Sequence, residues 1–315
     1  MPLPEKELVR RIRGLAKSRA ADRSVRVSIG DDTAVLRPKP GHEILVTTDF
    51  SLEGTHFRGG WHSPESVGHR CLCRGLSDIA AMGGEPVAAF LSLALPFDLP
   101  QNWVDGFLDG FLALARRTNT TLAGGDIAQS RHGILADVTV VGSLPQKAAI
   151  RRNGARPGDI IYVTGALGAS AATLRKMYAG EKLVVKQHLA HFFPEPRLAV
   201  AKTLQEKKLA TSMIDISDGL STDLAHICAE SGAGAVINQL LLPVAKGANL
   251  EDALHGGEAY ELLFTAKKSA KVPVEIGGVP VTEIGWVTKE KKVMITDCAS
   301  KSRKLEARGW EHFHS

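Results

Sequence analysis

The chain has 315 residues, which is enough for two domains that each bury a core of their own. Hydrophobic residues make up 44% of the chain and charged residues 23%, a balance typical of a globular protein and not of a disordered one. The formal charge of +5 suits an anionic partner, but aromatic residues are only 5% and do not cluster with Arg and Lys. We therefore expect no nucleic-acid-binding surface.

No apolar run is long enough for a membrane span. The longest, VAAFLSLALPF at 87–97, is shorter than the ~18 residues that a span requires. The first 20 residues carry two glutamates and no uninterrupted apolar core, so they predict an amphipathic helix and not a signal peptide. The spacing of the cysteines fits neither a zinc site nor a disulfide framework; they are Cys71, Cys73, Cys228 and Cys298. We interpret the first two as packing residues of a helix and expect a protein of the reducing cytoplasm, without membrane association.

Strand-like runs rich in β-branched residues alternate with helical patterns along the chain. The strand-like runs are HEILVTTD (42–49), GILADVTVVGSL (133–144), DIIYVTG (159–165) and TSMIDIS (211–217). One helical pattern starts with Ser63 as a candidate cap and Pro64 at its first position, and it ends at Gly83. This order predicts a mixed α+β or α/β fold in two halves. The turn-rich segment 145–159 is the best boundary, which divides the chain into domains 1–145 and 146–315.

Acidic residues recur where strands end or turns begin. The candidates are Asp32, Asp49, Asp78, Asp126, Asp215 and Asp218. Three of them are interpreted as ending apolar strands, namely Asp49, Asp126 and Asp215; a carboxylate there is costly to bury unless a cation meets it. Few basic residues flank these acids, and Thr47 and Thr48 add oxygen atoms beside Asp49. The pattern predicts a Mg²⁺ site assembled from several loops, although Ca²⁺ or Mn²⁺ would fit the same spacing.

Other aspartates have simpler interpretations. Asp31, beside Gly30, is interpreted as a turn-forming residue. In the stretch TSMIDISDGLSTDLAHICAESG, Asp218 is also a natural N-cap for the helix that follows. Asp223 is assigned to the solvent-facing surface of that helix, where the helix dipole favours an acid.

Glycine-rich turns could let the backbone approach a phosphate. They occur at 124–126, 164–170 and 254–262, but the turn TGALGAS at 164–170 is favoured as a plain strand-to-helix connection. The sequence contains no GxxxxGK[ST], no GxGxxG and no HRD and DFG pair, so a P-loop, a dinucleotide fingerprint and a protein kinase are excluded.

Two further segments carry candidate substrate contacts. The turn RRNGARPGD contains Arg151, Arg152 and Arg156, one of which could clamp phosphate oxygens; a solvated basic loop is an equal alternative. His56 follows Asp49 by seven residues and could meet a substrate, although a lone histidine is usually structural.

Seven motifs occur together and in one order: IGDDTAVL, LVTTDFSLEGTHF, GLSDIAAMGGEP, AGGD, RPGDIIYVTG, IDISDGLSTDL and GGEAYEL. From about residue 28 to residue 264, with a weaker match at GWEHF, the sequence resembles the thiamine-monophosphate kinase family of the aminoimidazole ribonucleotide synthetase superfamily. The resemblance implies a two-domain fold like that synthetase, a homodimer that pairs its N-terminal domains through their sheets, and ATP bound with both domains. It also implies the reaction of ATP with thiamine monophosphate to give ADP and thiamine diphosphate.

The resemblance also carries roles over to individual positions. Metal-binding positions match Asp32, Thr47, Thr48, Asp49, Asp78, Asp126, Asp215 and Asp218. Nucleotide contacts match Gly125, Asp126, Arg152 and Ser217, and thiamine phosphate contacts match His56 and Glu258. Two departures stand out: Ala259 replaces the Asp of the usual GGEDYEL, and at Ala307 the family often has an aromatic against thiamine, for which Trp310 is the nearest candidate here.

The chemistry of this reaction suits a group of acids. An anionic phosphate oxygen is already a nucleophile and needs little help from a base, while repulsion between two anions is relieved by several Mg²⁺ ions. We expect direct in-line transfer without a phosphoenzyme and without a covalent nucleophile.

Related ATP-using enzymes and a binding protein are the alternatives. A selenophosphate synthetase needs a reactive cysteine near its start and the hydrogenase-maturation enzyme one at its end; the first cysteine here is Cys71 and the chain ends GWEHFHS. An aminoimidazole ribonucleotide synthetase remains open on fold. A non-catalytic nucleotide or metal sensor would lack the acceptor contacts of His56 and Glu258.

Overall fold

The structure of the chain is a computed structural model that describes residues 1–16 and 24–313. The chain divides into two compact units. The first unit holds residues 1–79 and 84–147, and the second holds residues 80–83 and the chain from Ala148 onward. Each unit has a main sheet of its own.

The elements of the first unit are three helices and six strands within its described residues. The helices are α1 (Glu5–Ala16), α2 (Pro64–Ala81, whose last two residues belong to the second unit) and α3 (Gln101–Arg117). The strands are β1 (Val25–Val27), β2 (Val35–Leu36), β3 (His42–Leu52), β4 (Glu85–Pro96), β5 (Thr121–Ser130) and β6 (Leu135–Pro145).

The described part of the second unit contains more strands than helices. The strands are β7 (Ile160–Thr164), β8 (Ala210–Asp215), β9 (Gly234–Asn238), β10 (Leu262–Ala266), β11 (Glu275–Ile276), β12 (Val279–Thr288), β13 (Val293–Thr296) and β14 (Ser302–Lys304). The helices are α4 (Ala169–Tyr178), α5 (Leu189–Phe192), α6 (Leu198–Glu206), α7 (Leu220–Ser231) and α8 (Leu250–His255). Short 3-10 turns occur at Arg152–Gly154, Val185–Gln187 and Gln239–Leu241.

The main sheet of the first unit has the strand order β3-β6-β4-β5, in which only β4 and β5 run parallel. Side chains alternate between the two faces along each strand. Helix α2 packs on the face that carries Thr47 and Val140: a Cβ atom on Gly75 would lie 2.5 Å from Val140 Cγ2 and 3.7 Å from Thr47 Cγ2. On the opposite face of β3, Val46 is 66% exposed and Phe50 is 55% exposed. Along β3, this second face therefore exposes the apolar side chains of Val46 and Phe50, with the polar Thr48 between them.

Glycines let α2 and α3 touch backbone to backbone. A Cβ atom on Gly68 would lie 1.9 Å from the carbonyl oxygen of Phe107, and one on Gly110 would lie 1.9 Å from that of Glu65. Real Cβ atoms do not approach oxygen so closely, so both positions require glycine. This contact positions α2, the helix that carries Asp78.

We predict that Gly110→Ala lowers the free energy of unfolding by about 2 kcal/mol, because α2 and α3 must separate to admit the methyl group. Urea denaturation of the purified protein measures the change. Gly14→Ala in α1 is the matched control, since nothing lies within 4 Å of a Cβ atom there and alanine favours a helix. Equal effects of the two substitutions would contradict the proposed helix contact.

The main sheet of the second unit has the order β14-β13-β9-β12-β7-β10-β8, and β11 pairs with β12. Only β13 and β9 are parallel in it. Both faces of the central strands are covered. On β10, Leu263 packs into the cluster that contains Leu224 of α7, whereas Phe264 packs into the cluster that contains Leu204 of α6. Strand β8, which ends at Asp215, pairs with β10 and packs into the same two clusters, through Ile214 on one face and Met213 on the other.

The mixed fold predicted from the sequence is confirmed, and several local predictions agree with the structure. Ser63 caps α2, since its Oγ accepts a hydrogen bond of 3.3 Å from the backbone N–H of Ser66, and Gly83 ends the helix with a φ of +76°. Cys71 and Cys73 are fully buried in α2. The predicted first helix is α1, and residues 17–20 of that stretch lie outside the described residues. Within the described chain, no helix has both the length and the apolarity to cross a membrane.

One prediction about the strands is wrong. Asp49 and Asp126 lie inside β3 and β5 and do not end them. Strand β3 continues to Leu52 because β6 offers it hydrogen-bonding partners as far as Leu135. Asp215 does end its strand, as predicted.

Candidate active site

Two acids of the first unit meet between β3 and α2. Asp49 and Thr47 project from the face of β3 that α2 covers, and Asp78 lies in the last turns of α2. The Thr47 hydroxyl donates a hydrogen bond to Asp78 Oδ2, and the carboxyl groups of Asp49 and Asp78 are hydrogen-bonded to each other. The structure thus brings three of the predicted metal residues together.

The electrostatics of this group favour a cation. Burial raises the pKa of Asp49 to about 7, and the negative charges of Asp78 and Asp137 raise it as well. The positive charge of Arg74 on α2 acts in the opposite direction. The single nearby guanidinium therefore does not compensate the two acids. Carboxylate and hydroxyl oxygens are the ligands that hard divalent cations take, so the residues fit a metal of that kind.

Other predicted residues of the first unit lie on the opposite face of the sheet. Thr48 alternates with Thr47, and its hydroxyl donates a 2.9 Å hydrogen bond to Asp137 Oδ1. Asp126 of β5 is in register with Ser92 of β4, which is in register with Asp137 of β6. Asp126 is exposed. The sequence analysis missed Asp137, although an acid within the alternating run GILADVTVV was a usable signal.

Three more predicted residues have defined local roles. Asp32 is exposed in the connection between β1 and β2, where its N–H donates a 3.0 Å hydrogen bond to Asp31 Oδ1. Gly125 has a φ of +155°, and a Cβ atom there would lie 1.9 Å from a carbonyl oxygen of β4, so the pairing of β4 and β5 itself requires glycine. His56 Nδ1 accepts a 2.9 Å hydrogen bond from the N–H of Leu52, which leaves the proton of a neutral ring on Nε2.

The second unit builds its candidate site on the turn from β8 to α7. Asp215 is 3% exposed at the end of β8, and Ser217 and Asp218 follow in the turn. Gly219 has a φ of +124°, and a Cβ atom there would lie 2.8 Å from the carbonyl oxygen of His255. Because only glycine fits, the chain can turn sharply from the buried strand into the helix.

Asp223 corrects the sequence analysis. It is 1% exposed and not on the helix surface, and its Oδ2 accepts hydrogen bonds from the N–H groups of Asp218 (3.3 Å) and Gly219 (3.0 Å). Asp218 is therefore not the side-chain cap of α7; the N-cap position is Gly219, and the acid inside the helix binds the turn instead. Burial raises the pKa of Asp223 to about 8, and the charges of Asp215 and Asp218 add to the shift.

A group of possible metal ligands follows from this arrangement. Asp218, Asp223 and His226 can each offer a ligand atom within 4.8 Å of the other two. Sequence reasoning missed Asp223 and His226, although their spacing of five and eight residues from Asp218 places them on the first turns of one helix. The two carboxylates fit a hard cation, as the group in the first unit does.

The motif GGEAYEL (256–262) is hydrogen-bonded directly to this turn. The N–H of Glu258 donates a 2.7 Å hydrogen bond to the carbonyl oxygen of Ser217, and the N–H of Tyr260 donates a 2.9 Å bond to that of Ile216. Glu258 and Tyr260 both have positive φ values, 60° and 52°, which are strained for residues with a side chain. The two hydrogen bonds to Ile216 and Ser217 thus hold Glu258 in an unusual backbone conformation beside the turn.

Two other side chains of the same motif, Tyr260 and Glu261, form hydrogen bonds that hold the motif in place. The Tyr260 hydroxyl donates to Glu258 Oε1 at 3.4 Å. Buried Glu261 accepts a 2.7 Å hydrogen bond from Arg197 Nε and a 2.6 Å bond from the Thr164 hydroxyl. Ala259, where the family has Asp, packs against the core cluster of α7 and β10. In this chain the position therefore makes an apolar contact.

Two remaining predicted residues lie at different ends of α7. The N–H of Trp310 donates a 3.0 Å hydrogen bond to the carbonyl oxygen of Asp218, and the Trp310 side chain is 55% exposed. The carbonyl oxygen of Arg152 accepts a 2.9 Å bond from the hydroxyl of Ser231, the last residue of α7. Asp215, Ser217, Asp218, Glu258 and Trp310 therefore form one connected region, and no such contact joins Arg152 to it in the described residues.

Comparison with known proteins places this architecture in a class. Residues 30–144 match the family described as AIR synthase related protein, N-terminal domain, and residues 156–298 match AIR synthase related protein, C-terminal domain. The two units and their acidic turns thus define an AIR synthase-related protein.

Individual relatives narrow the class further. Thiamine-monophosphate kinase of Escherichia coli (strain K12) is 34% identical over 94% of this chain and 94% of its own length. The crystal structure of thiamine-monophosphate kinase from Stenotrophomonas maltophilia K279a has a TM-score of 0.83 at 32% identity, covering 94% of this chain and 97% of that one. A structure of AaThiL complexed with AMPPCP and TMP has a TM-score of 0.78 at 33% identity, covering 99% and 97%. The chain belongs to the thiamine-monophosphate kinase family, as its motifs predicted.

Proposed function

We propose that the chain transfers the γ-phosphoryl group of ATP to thiamine monophosphate, which yields ADP and thiamine diphosphate. The observation that carries the proposal is the hydrogen bond from the Glu258 N–H to the Ser217 carbonyl oxygen, because it joins the acceptor motif to the nucleotide motif within one unit. The relatives named as thiamine-monophosphate kinases, and the structure with AMPPCP and TMP, support the same reaction.

The reaction requires one bond to form and one to break. A phosphate oxygen of thiamine monophosphate bonds to the γ-phosphorus of ATP, and the bond from that phosphorus to the β,γ-bridging oxygen breaks, so ADP leaves. The attacking oxygen is already anionic, so no side chain has to remove a proton. We propose that the chain supplies orientation and charge compensation and no covalent nucleophile.

The residues have distinct proposed tasks. Nucleotide contacts are assigned to Ser217 and Arg152 of the second unit and to Gly125 and Asp126 of the first. Contacts with thiamine monophosphate are assigned to Glu258 and Trp310 of the second unit and to His56 of the first. We assign divalent-metal binding to Thr47, Asp49 and Asp78 between β3 and α2, to Thr48 and Asp126 on the opposite face of that sheet, to Asp32 in its turn, and to Asp215 and Asp218 in the second unit. Mg²⁺ bound there would supply positive charge that offsets repulsion between the two phosphates. We also propose a cytoplasmic enzyme, because all four cysteines are free thiols.

The direct test is an assay with ATP, Mg²⁺ and thiamine monophosphate, in which thiamine diphosphate is separated by chromatography. We expect stoichiometric formation of ADP and thiamine diphosphate. ATP binding or hydrolysis without thiamine diphosphate would overturn the proposal in favour of a sensor or another enzyme of the superfamily. Glu258→Gln should weaken the acceptor interaction and leave the KM for ATP within about twofold.

A second copy of the chain is the proposed partner. The exposed face of β3 carries Ile44, Val46 and Phe50, and β3 is an edge strand of its sheet. Large exposed apolar side chains in a row mark an interaction surface, and an edge strand offers unpaired backbone groups to another strand. We propose that two copies pair through this sheet face.

We predict that Val46→Glu converts the dimer to a monomer, because it would bury a carboxylate among the apolar side chains of the proposed contact. Light scattering during size-exclusion chromatography measures the mass directly. Glu43→Gln, on the same strand and at an already exposed polar position, is the control and should leave the mass unchanged. A monomeric unmodified protein, or a dimeric Val46→Glu variant, would refute this interface.

A further inference from the structure

The chain beyond β14 crosses back over the start of α7. Leu305 is 4% exposed, and its N–H donates a 2.9 Å hydrogen bond to the carbonyl oxygen of Val293, so the segment leaves the sheet from a buried point. The N–H of Gly309 then donates a 3.0 Å bond to the Thr222 hydroxyl, and the N–H of Trp310 donates to the Asp218 carbonyl oxygen. Backbone contacts therefore attach residues 309 and 310 to the turn that carries the candidate site.

Close approach at Gly309 leaves no room for a side chain. A Cβ atom there would lie 2.2 Å from the carbonyl oxygen of Asp218 and 2.5 Å from Thr222 Oγ1. Both atoms belong to the turn and the first residues of α7, which are fixed by buried Asp223. The segment thus packs against a rigid part of the second unit, which cannot move to admit a side chain at position 309.

A side-chain network secures the residue just before this contact. Arg308 Nη2 donates to Glu251 Oε2 and to His255 Nε2, each at 2.8 Å. A guanidinium is only a donor, so His255 Nε2 must accept and its proton must lie on Nδ1. His255 Nδ1 then donates to the Ser221 hydroxyl at 2.7 Å, and that oxygen also lies 3.4 Å from the N–H of Arg308. Burial and the charge of Arg308 lower the pKa of His255, which agrees with a neutral ring.

We infer that Arg308, acting through His255 and Ser221, is a positioning residue that holds Gly309 and Trp310 on the turn at Asp218 and thereby sets the affinity for the phosphate acceptor. The inference rests on the proposed function for its link to thiamine monophosphate. Arg308 contacts Ser221 of α7 and Glu251 and His255 of α8, none of which is assigned to metal or substrate. Its loss should therefore loosen the segment without removing a group that contacts the reacting atoms.

The test compares Arg308→Ala and Arg308→Lys with Lys304→Ala. Lys304 is the matched control because it is an exposed base at the end of β14, just before the segment, and its side chain pairs with the nearby Glu306 at 3.0 Å. We expect Arg308→Ala to raise the KM for thiamine monophosphate about tenfold, with kcat and the KM for ATP within about twofold. Arg308→Lys should recover part of the affinity, since an ammonium can still donate to Glu251 and His255.

A second readout follows the segment without the reaction. Acrylamide quenching of tryptophan fluorescence is measured for each protein with and without the additional substitution Trp310→Phe. The difference between the two measurements gives the signal of Trp310. We expect stronger quenching of Trp310 in Arg308→Ala than in the unmodified protein or in Lys304→Ala. Unchanged quenching and an unchanged KM in Arg308→Ala would overturn the inference, as would equal effects of Lys304→Ala. If the unmodified protein makes no thiamine diphosphate, the proposed function fails, and the quenching result still decides whether Arg308 holds the segment.

Discussion

Asp49→Asn is expected to lower kcat by about a thousandfold while it stabilises the metal-free protein. The loss of activity follows from the proposed role of Asp49 as a metal ligand, since its removal would weaken the binding of charge that offsets repulsion between the phosphates. The gain in stability follows from the raised pKa of Asp49, since burial and then the charge of Asp78 disfavour its ionised form when no metal is bound. One substitution therefore has opposite effects on function and on stability.

The stability difference should depend on pH in a defined direction. The pKa of Asp49 is about 7 in the folded protein against an ordinary 3.8, so the folded state keeps a proton that the unfolded chain has released between these values. The free energy of unfolding of the unmodified protein therefore falls as pH rises from about 4 to about 7. Asn has no such proton. We expect an advantage of about 1–2 kcal/mol for Asp49→Asn near pH 8, allowing for solvent screening of a half-buried group, and a smaller one near pH 5.

The measurement is urea denaturation with EDTA at both pH values, together with the product assay. Asp109→Asn is the control, since Asp109 is an exposed acid on α3 and should change neither activity nor stability by much. A fully active Asp49→Asn variant would refute the metal assignment. A variant less stable than the unmodified protein near pH 8 would refute the electrostatic account.

Asp223→Ala is expected to lower the free energy of unfolding by about 2–3 kcal/mol and to reduce activity by about a hundredfold. The N–H groups of Asp218 and Gly219 would lose their acceptor, and an unpaired buried donor is costly. The turn that carries Asp215, Ser217 and Asp218 would then relax. Asp223→Asn keeps an oxygen acceptor at the same place, so we expect it to restore most of both properties.

Thermal unfolding and the product assay distinguish these outcomes. Glu230→Ala is the control on the same helix, because Glu230 is exposed near its end and should be close to neutral. If Asp223→Ala behaves like this control, the surface position that the sequence suggested is right and the buried role is wrong. A stable but inactive Asp223→Asn variant would show that the charge, and not the acceptor oxygen, is required.

Local patterns were informative where short-range physics decides the structure. β-branched runs located β3, β6, β7 and β8, and Ser63 with Pro64 located the start of α2. The period of two along a strand could also have shown that the Thr47 and Thr48 side chains lie on opposite faces of β3. Strand ends were less certain, because polar residues such as Asp49 stay in a strand when a neighbouring strand supplies hydrogen bonds.

Asp223 shows a different limit. A spacing of one turn and a half into a helix normally indicates a solvent-facing acid. The Asp218-Gly219 pair indicates a turn before the helix, but it does not show where the N–H groups of that turn point. The buried position arises because the chain folds back so that two backbone N–H groups point at the carboxylate. Such a contact depends on the path of the chain before the helix.

By itself, the sequence determined the classes of element, the mixed fold and the family, because strand periodicity, helix caps and ordered motifs are local properties of the chain. Only the tertiary structure decided which candidate residues meet. The pairing of Glu258 with Ser217 joins residues 41 positions apart, and that of Trp310 with Asp218 joins residues 92 positions apart. These contacts depend on the pairing of β8 with β10 and on the return of the chain beyond β14, and non-local pairings of that kind are not written in any short stretch of sequence.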